Sequence, residues 1–345
     1  MPPLTTSPLR AADWVSRLDD APAGLAWASD GGRLVWLGVG GRAWLLDAAT
    51  GATQRGFAAH DDGAFQVAWQ PDGACFATSG QDGRVRLWHP DREEADHAVK
   101  VGPGWVEHLA WSPDGKRLAA AVGREVVLLD AGGAILHRLG PRRNTVSGLC
   151  WRKDGSQLAV SAYAGVELYD AGSGRVTASL PWKTSLISVS WSPTGRWVVA
   201  GTQEKTVQVW ELPFRPGEEL AMSGYAFKVR ELGWHYSGRY LATGGGEELM
   251  VWDCGGKGPD GTEPRLLRGH VGRVTSLAYQ RRGHLLASGG QDGSIFFWNA
   301  GRFLTPLQQV HLGSGVGHLT WNPGETRVAA AGEDGSVAVA GAPVT

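Results

Sequence analysis

Apolar and polar residues alternate along most of the chain in short runs, of which 84–88 (Arg-Val-Arg-Leu-Trp) and 117–121 (Arg-Leu-Ala-Ala-Ala) are examples. A period of two places successive side chains on opposite faces of a strand, and no stretch sustains the 3.6-residue period of a helix. The predicted elements are therefore strands. Between them stand Pro-Asp-Gly and Gly-rich turns, whose dihedrals suit tight reversals, so neighbouring strands should pair as antiparallel hairpins.

The pattern recurs at long range. Val-Ala-Trp-Gln-Pro-Asp-Gly at 67–73 returns as Leu-Ala-Trp-Ser-Pro-Asp-Gly at 109–115, Leu-Cys-Trp-Arg-Lys-Asp-Gly at 149–155 and Val-Ser-Trp-Ser-Pro-Thr-Gly at 189–195. With the looser copies at Trp27, Trp234, Tyr279 and Trp321, the marker aromatic recurs every 40–45 residues. Eight units of four strands fill the chain. A strand-like segment, 13–18, precedes the first marker, whereas the last unit stops at its third strand near 337–340. The N-terminal strand should thus complete the last unit and close the ring, removing free sheet edges. Seven closed units plus one degenerate unit is the alternative.

The resemblance is carried by two units. Arg268-Gly269-His270, Leu277-Ala278-Tyr279, Ser288 to Gly293 and Phe297-Trp298-Asn299 resemble a WD40 repeat. His60 and Asp82 stand 22 residues apart, as do His270 and Asp292, and Trp88 and Trp298 each follow the Asp by six. The resemblance covers about residues 11–342 and implies an all-β, closed, eight-bladed β-propeller forming a single domain over 1–345, with residues 1–10 as an N-terminal tail. It also implies that His60, Thr78, Asp82 and Trp88, and likewise His270, Ser288, Asp292 and Trp298, form structural hydrogen-bonded tetrads rather than hydrolase triads. In the other units the Asp column reads Gly40, Gly123, Tyr163, Glu204 and Gly246, while Asp334 is kept but faces Ala340 instead of Trp. Those blades are expected to rely on apolar packing. The regular markers and few insertions resemble bacterial members more than eukaryotic ones.

Composition narrows the function. The 345 residues carry 33 Lys plus Arg against 34 Asp plus Glu, a formal charge of -1, so no basic excess exists to neutralise a phosphate backbone or an anionic membrane. No apolar run approaches the roughly 20 residues of a membrane span, and the first residues lack a basic end followed by an apolar stretch. A soluble, cytoplasmic, monomeric protein that binds neither nucleic acid nor membrane is expected. Cys75, Cys150 and Cys254 share no short spacing and read as inert thiols. The 17 Trp include the seven marker indoles, which read as wedge fillers between blades rather than a stacking platform.

Two chemical motifs are discounted. Residues 38–43 (Gly-Val-Gly-Gly-Arg-Ala) fit a dinucleotide fingerprint, but Trp44-Leu45-Leu46-Asp47 continues as a strand where the fingerprint needs a helix. His108, Glu231 and His318 suit a metal by type, yet they belong to the third, sixth and eighth units and should not converge. No catalytic residue, cofactor or metal is expected. The family resemblance instead implies a working surface at the narrow face, where the loop entering each inner strand meets the turn before the Asp column. Carried over by position, the candidates there are Trp105, Arg273, Lys228, Gln81, Gln203, Gln291 and Glu333, with Phe65, Tyr225, Phe227, Arg143 and Lys183 close to them in the chain. Aromatic residues and Arg are enriched at protein interfaces, so the expected function is a non-enzymatic scaffold for a protein or peptide partner. A cofactor in the central channel, or a glycan stacked on Trp105, are the rival readings. The connections 212–219 and 254–264 read as solvated linkers.

Overall fold

The computed structural model describes residues 8–71, 73 and 75–344. It contains eight separate sheets, antiparallel except for one added edge strand, and, among the described residues, no helix. Each sheet is one repeat: the third, for example, runs outward through Val106–Trp111, Arg117–Val122, Glu125–Asp130 and Ile135–Leu139. The turn pattern dictates this meander, since reversals as short as those of this blade can only pair their flanking runs. Asp72, in the Pro-Asp-Gly turn of the second blade, lies outside the described residues.

Closure follows the strand count. Trp14–Arg17 pairs antiparallel with the last strand, Ser336–Gly341, placing Trp14 opposite Val339, and so completes the eighth blade. The ring holds eight blades, which removes the seven-blade alternative. The tail reading of residues 1–10 needs correction. Residues 1–7 lie outside the described residues, but Leu9–Arg10 add to the seventh blade as a fifth strand, parallel to Gln309 and Val310.

The core lies between blades rather than within one. Middle strands such as Leu286–Gly290 and Ser294–Trp298 are buried along their whole length because both faces pack on neighbouring sheets. Trp36, Trp197, Trp210 and Trp298 are fully enclosed. Several marker indoles have a second role. Trp27 Nε1 donates to Thr320 O (3.1 Å), Trp111 to Ala68 O (3.1 Å), Trp151 to Ala110 O (2.9 Å) and Trp321 to Ala278 O (2.8 Å). Each indole thus reaches the carbonyl just before the marker of the preceding blade, and Trp27 ties the first blade to the eighth. Trp69, Trp191 and Trp234 leave Nε1 buried without a partner, as Tyr279 leaves its hydroxyl. Trp111→Phe should therefore cost about 1 kcal/mol more than Trp69→Phe, because only the first loses a hydrogen bond while both lose similar volume. Denaturant midpoints of the two variants measure this, and equal losses would show that the latch contributes nothing.

The glycines of 38–43 are explained by packing. Arg33–Gly38 and Arg42–Asp47 form a hairpin, as the strand reading requires. Asp20 accepts the Gly40 N–H at 2.8 Å, and a Cβ on Gly38 would lie 2.2 Å from the Asp20 carboxylate. Gly41, at φ +91°, would drive a Cβ to 2.2 Å from the His60 carbonyl. The long connections also depart from the linker reading. Trp197 Nε1 donates to Cys254 O (3.2 Å), Arg196 to Gly256 O (2.8 Å), and Leu212 and Phe214 pack against the fifth blade's cluster.

Candidate interaction surface

Polar latches hold the loops that enter the inner strands. In the seventh blade His270 Nδ1 lies 3.1 Å from Asp292, His270 Nε2 lies 2.9 Å from Ser288 Oγ, and Trp298 Nε1 donates to the same oxygen at 2.9 Å. These partners assign the tautomer: Nδ1–H donates to the carboxylate, the Ser288 hydroxyl donates to Nε2, and the indole donates to the hydroxyl oxygen. In the second blade His60, Thr78, Asp82 and Trp88 repeat the arrangement at 2.9–3.0 Å. There Arg86 is added, with Nη1 2.5 Å from Asp82 Oδ2, where the seventh blade has Phe296 edge-on to His270 at 4.7 Å. Burial opposes ionisation of Asp82 and Asp292, but their partners, His60 with Arg86 and His270 with backbone N–H groups, outweigh it and hold both below the usual carboxylate range. Burial holds His60 below its ordinary value despite Asp82.

Two further blades carry latches that the Asp column did not reveal. Tyr225 stands nine residues before its marker, as His60 and His270 do. Its hydroxyl lies 2.9 Å from Thr243 Oγ1 and accepts from Trp252 Nε1 at 2.9 Å. Tyr225 is only 7% exposed, so it belongs to the core of the sixth blade and not to a partner-binding face. Arg142 holds the same position in the fourth blade, its Nε 3.2 Å from Glu167 and its guanidinium 4.9 Å from the Tyr169 ring, while Tyr169 donates to Glu167. The spacing to the marker was the available signal; residue type hid it. These two blades thus do not rely on apolar packing alone.

The structure does bring the two candidate loops together. Gln81 N–H donates to Gly63 O (3.0 Å), Gln203 to Ser185 O (3.1 Å), Gln291 to Arg273 O (2.9 Å) and Glu333 to Gly315 O (2.8 Å). Residues before the Asp column therefore lie beside those six before the marker, four times around one face. The aromatic candidates fall into two clusters. Trp105, 54% exposed, rests on Phe65 with ring centroids 5.6 Å apart. Phe227, 50% exposed, lies under Arg273 at 6.0 Å, and Arg273 reaches the buried side chain of Glu231 at 3.7 Å. Lys228 and Arg143 are exposed, and Lys183 lies over Trp182 at 5.6 Å. Tyr163, 49% exposed, was missed because it occupies the Asp column.

His108 and His318 lie on the inner strands of the third and eighth blades and Glu231 stands just before that of the sixth, and among the described residues no three His, Cys, Asp or Glu side chains cluster as a metal set. Burial, then the charge of Arg230, pushes His108 down to about 4. Burial also lowers His318 and raises Glu231. It raises the Cys254 thiol to about 12 and Cys150 as well, which leaves little thiolate.

Comparison with known proteins agrees with the repeat. The WD40 family, described as WD domain, G-beta repeat, matches residues 51–89, 174–211, 261–299 and 304–339. Protein HIR1 of Cryptococcus neoformans is 29% identical over 182 residues, 46% of this chain and 20% of that protein. Cell division cycle 20.1, cofactor of APC complex, of Arabidopsis thaliana is 28% identical over 162 residues, 44% of this chain and 34% of that protein. B-type cell cycle switch protein ccs52A of Medicago truncatula is 28% identical over 136 residues, 39% and 28% of the two. The chain thus matches no more than 34% of each relative's length, and these eukaryotic relatives lend no support to a bacterial style. Among solved structures, the computationally designed Ika8 protein superposes with a TM-score of 0.80 at 20% identity, covering 97% of this chain and 99% of that one. Eight closed blades, marker indoles repeated around the ring and two complete His–Asp latches agree with that match: the chain is an eight-bladed β-propeller, four segments of which match the WD40 repeat.

Proposed function

We propose that the chain is a non-enzymatic scaffold that binds a protein or peptide partner through the face carrying the loops into its inner strands. The observation that carries this reading is the pair of exposed aromatic clusters, Phe65–Trp105 and Phe227–Arg273. Neither Trp105 nor Phe227 fills a wedge between blades, and each is braced from beneath, which lowers the entropy lost when a partner covers it. Proteins similar in sequence include one named as a cofactor of a larger complex, which supports partner binding as the mode of action. Rigid blades with independent loops suit such a role.

The test is quantitative partner capture from an extract of the source cell, comparing wild type with a Trp105→Ala, Phe227→Ala double variant. Arg273 is left intact because it neutralises the buried Glu231. The variant should keep the wild-type melting temperature and lose its specific partners by roughly tenfold or more, the order expected for two hot-spot aromatics. Identical capture by both proteins, or no specific capture by either, would overturn the reading.

A further inference from the structure

The outer strand of the fourth blade, Val176–Ser185, is ten residues long, whereas the outer strands of the other blades have three to six. It lengthens because no turn interrupts this blade at the Asp column: the strand Gln157–Asp170 runs on through Tyr163, which pairs with Ser185. Among the described residues the strand's outward edge has no neighbour. Two cavities flank it. One, of about 640 Å³, opens toward the third blade between Arg138, Arg142, Arg143 and Tyr163. The other, of about 770 Å³, opens toward the fifth blade against Leu212, Pro213, Phe214 and Pro216. Ser179 and Pro181 line both.

The two grooves differ in chemistry. In the first, three guanidinium groups face a single carboxylate, Glu167, which pairs with Arg142. Arg142 is nine-tenths buried and its Nη2 has no hydrogen-bond partner. Arg138 lies 3.7 Å from Glu125, while Arg143 is exposed and makes no ion pair among the described residues. The second groove presents a Pro-Phe-Pro wall. The seventh blade, meanwhile, shows that an outer edge of this ring accepts another strand, since Leu9–Arg10 already add to it.

We propose that the outer edge of the fourth blade is a second docking surface that takes an extended acidic peptide as an added β-strand. The peptide backbone pairs with Val176 to Leu180, and pairing ends there because Pro181 has no N–H to offer. Successive side chains of the added strand point to opposite faces, so an Asp or Glu enters the arginine groove and its neighbour, an apolar residue, enters the Pro-Phe groove. This surface shares Arg143 and Tyr163 with the face assigned above, but neither Trp105 nor Phe227 lines its grooves.

The test pans phage-displayed random heptapeptides on the full chain and measures binding of the consensus peptide. The expected consensus places Asp or Glu next to a large apolar residue. Arg143→Glu should weaken its binding by about tenfold or more, Trp105→Ala should leave it unchanged, and added peptide should slow hydrogen exchange at the amides of Val176–Leu180. Failure to enrich any acidic peptide, affinity indifferent to Arg143→Glu, or protection confined to other strands would each overturn the proposal. Loss of binding in Trp105→Ala alone would overturn it while supporting the other face.

Discussion

Ser288→Ala is expected to lower the stability of the ring by about 2–6 kcal/mol, far beyond the size of the group removed. The hydroxyl serves two buried partners at once, accepting from Trp298 Nε1 and bonding His270 Nε2, each at 2.9 Å. Its loss leaves an indole N–H and an imidazole nitrogen without partners in a site closed to water, at about 1–3 kcal/mol each. The sixth blade supplies the control. There the indole of Trp252 donates to Tyr225 rather than to the threonine, so Thr243→Val breaks the bonds to the Tyr225 hydroxyl and the Met250 carbonyl but leaves the indole bonded. That variant should cost about 1–2 kcal/mol. Urea unfolding of the two variants measures the difference, and equal losses would mean that the latch of the seventh blade is not the two-partner device its geometry describes.

Acid should destabilise the protein well above the carboxylate range, with His108 as the largest single contributor. The folded state holds this imidazole at about 4, against an ordinary value near 6.5. A base with a depressed folded pKa binds fewer protons folded than unfolded. Its contribution is therefore fully present above about pH 6.5 and is lost progressively as the pH falls toward 4. At about 1.4 kcal/mol per unit, that window amounts to about 3 kcal/mol. His60, His235 and His318 are lowered too and add to the same limb. Below it, Asp82 and Asp292 lose their stabilising charge as they protonate. His108→Gln should flatten the dependence of unfolding free energy on pH between 6.5 and 4. A slope in that interval identical to the wild type would show that His108 is solvated and titrates normally.

How much of this could be read in advance differs from element to element. Strands, blade count and closure were legible because they follow from near-neighbour rules: alternation selects strands, turn residues select hairpins, and a missing fourth strand at one end matches a spare one at the other. The two His–Asp latches were legible because residue type and spacing recur together. Tyr225 shows where that reading fails. Its position, nine residues before the marker, is that of His60 and His270, but a tyrosine in a loop reads equally well as an exposed interface residue. Only the packing of Trp252 and Thr243 around its hydroxyl makes it a core residue. Arg142 is the same case with charge: nothing local pairs it with Glu167, 25 residues later.

The sequence by itself determined the ring, since repetition of one unit leaves each blade's apolar faces exposed until a neighbour covers them and the last covers the first. Only the tertiary structure decided which marker indoles reach a carbonyl on the preceding blade, which aromatics stand out from the face at Trp105 and Phe227, and that the fourth blade offers a long edge between two unlike grooves. Those features depend on distances between residues some 40 positions apart, set to a fraction of an ångström by side-chain packing, and local alternation carries no information at that range.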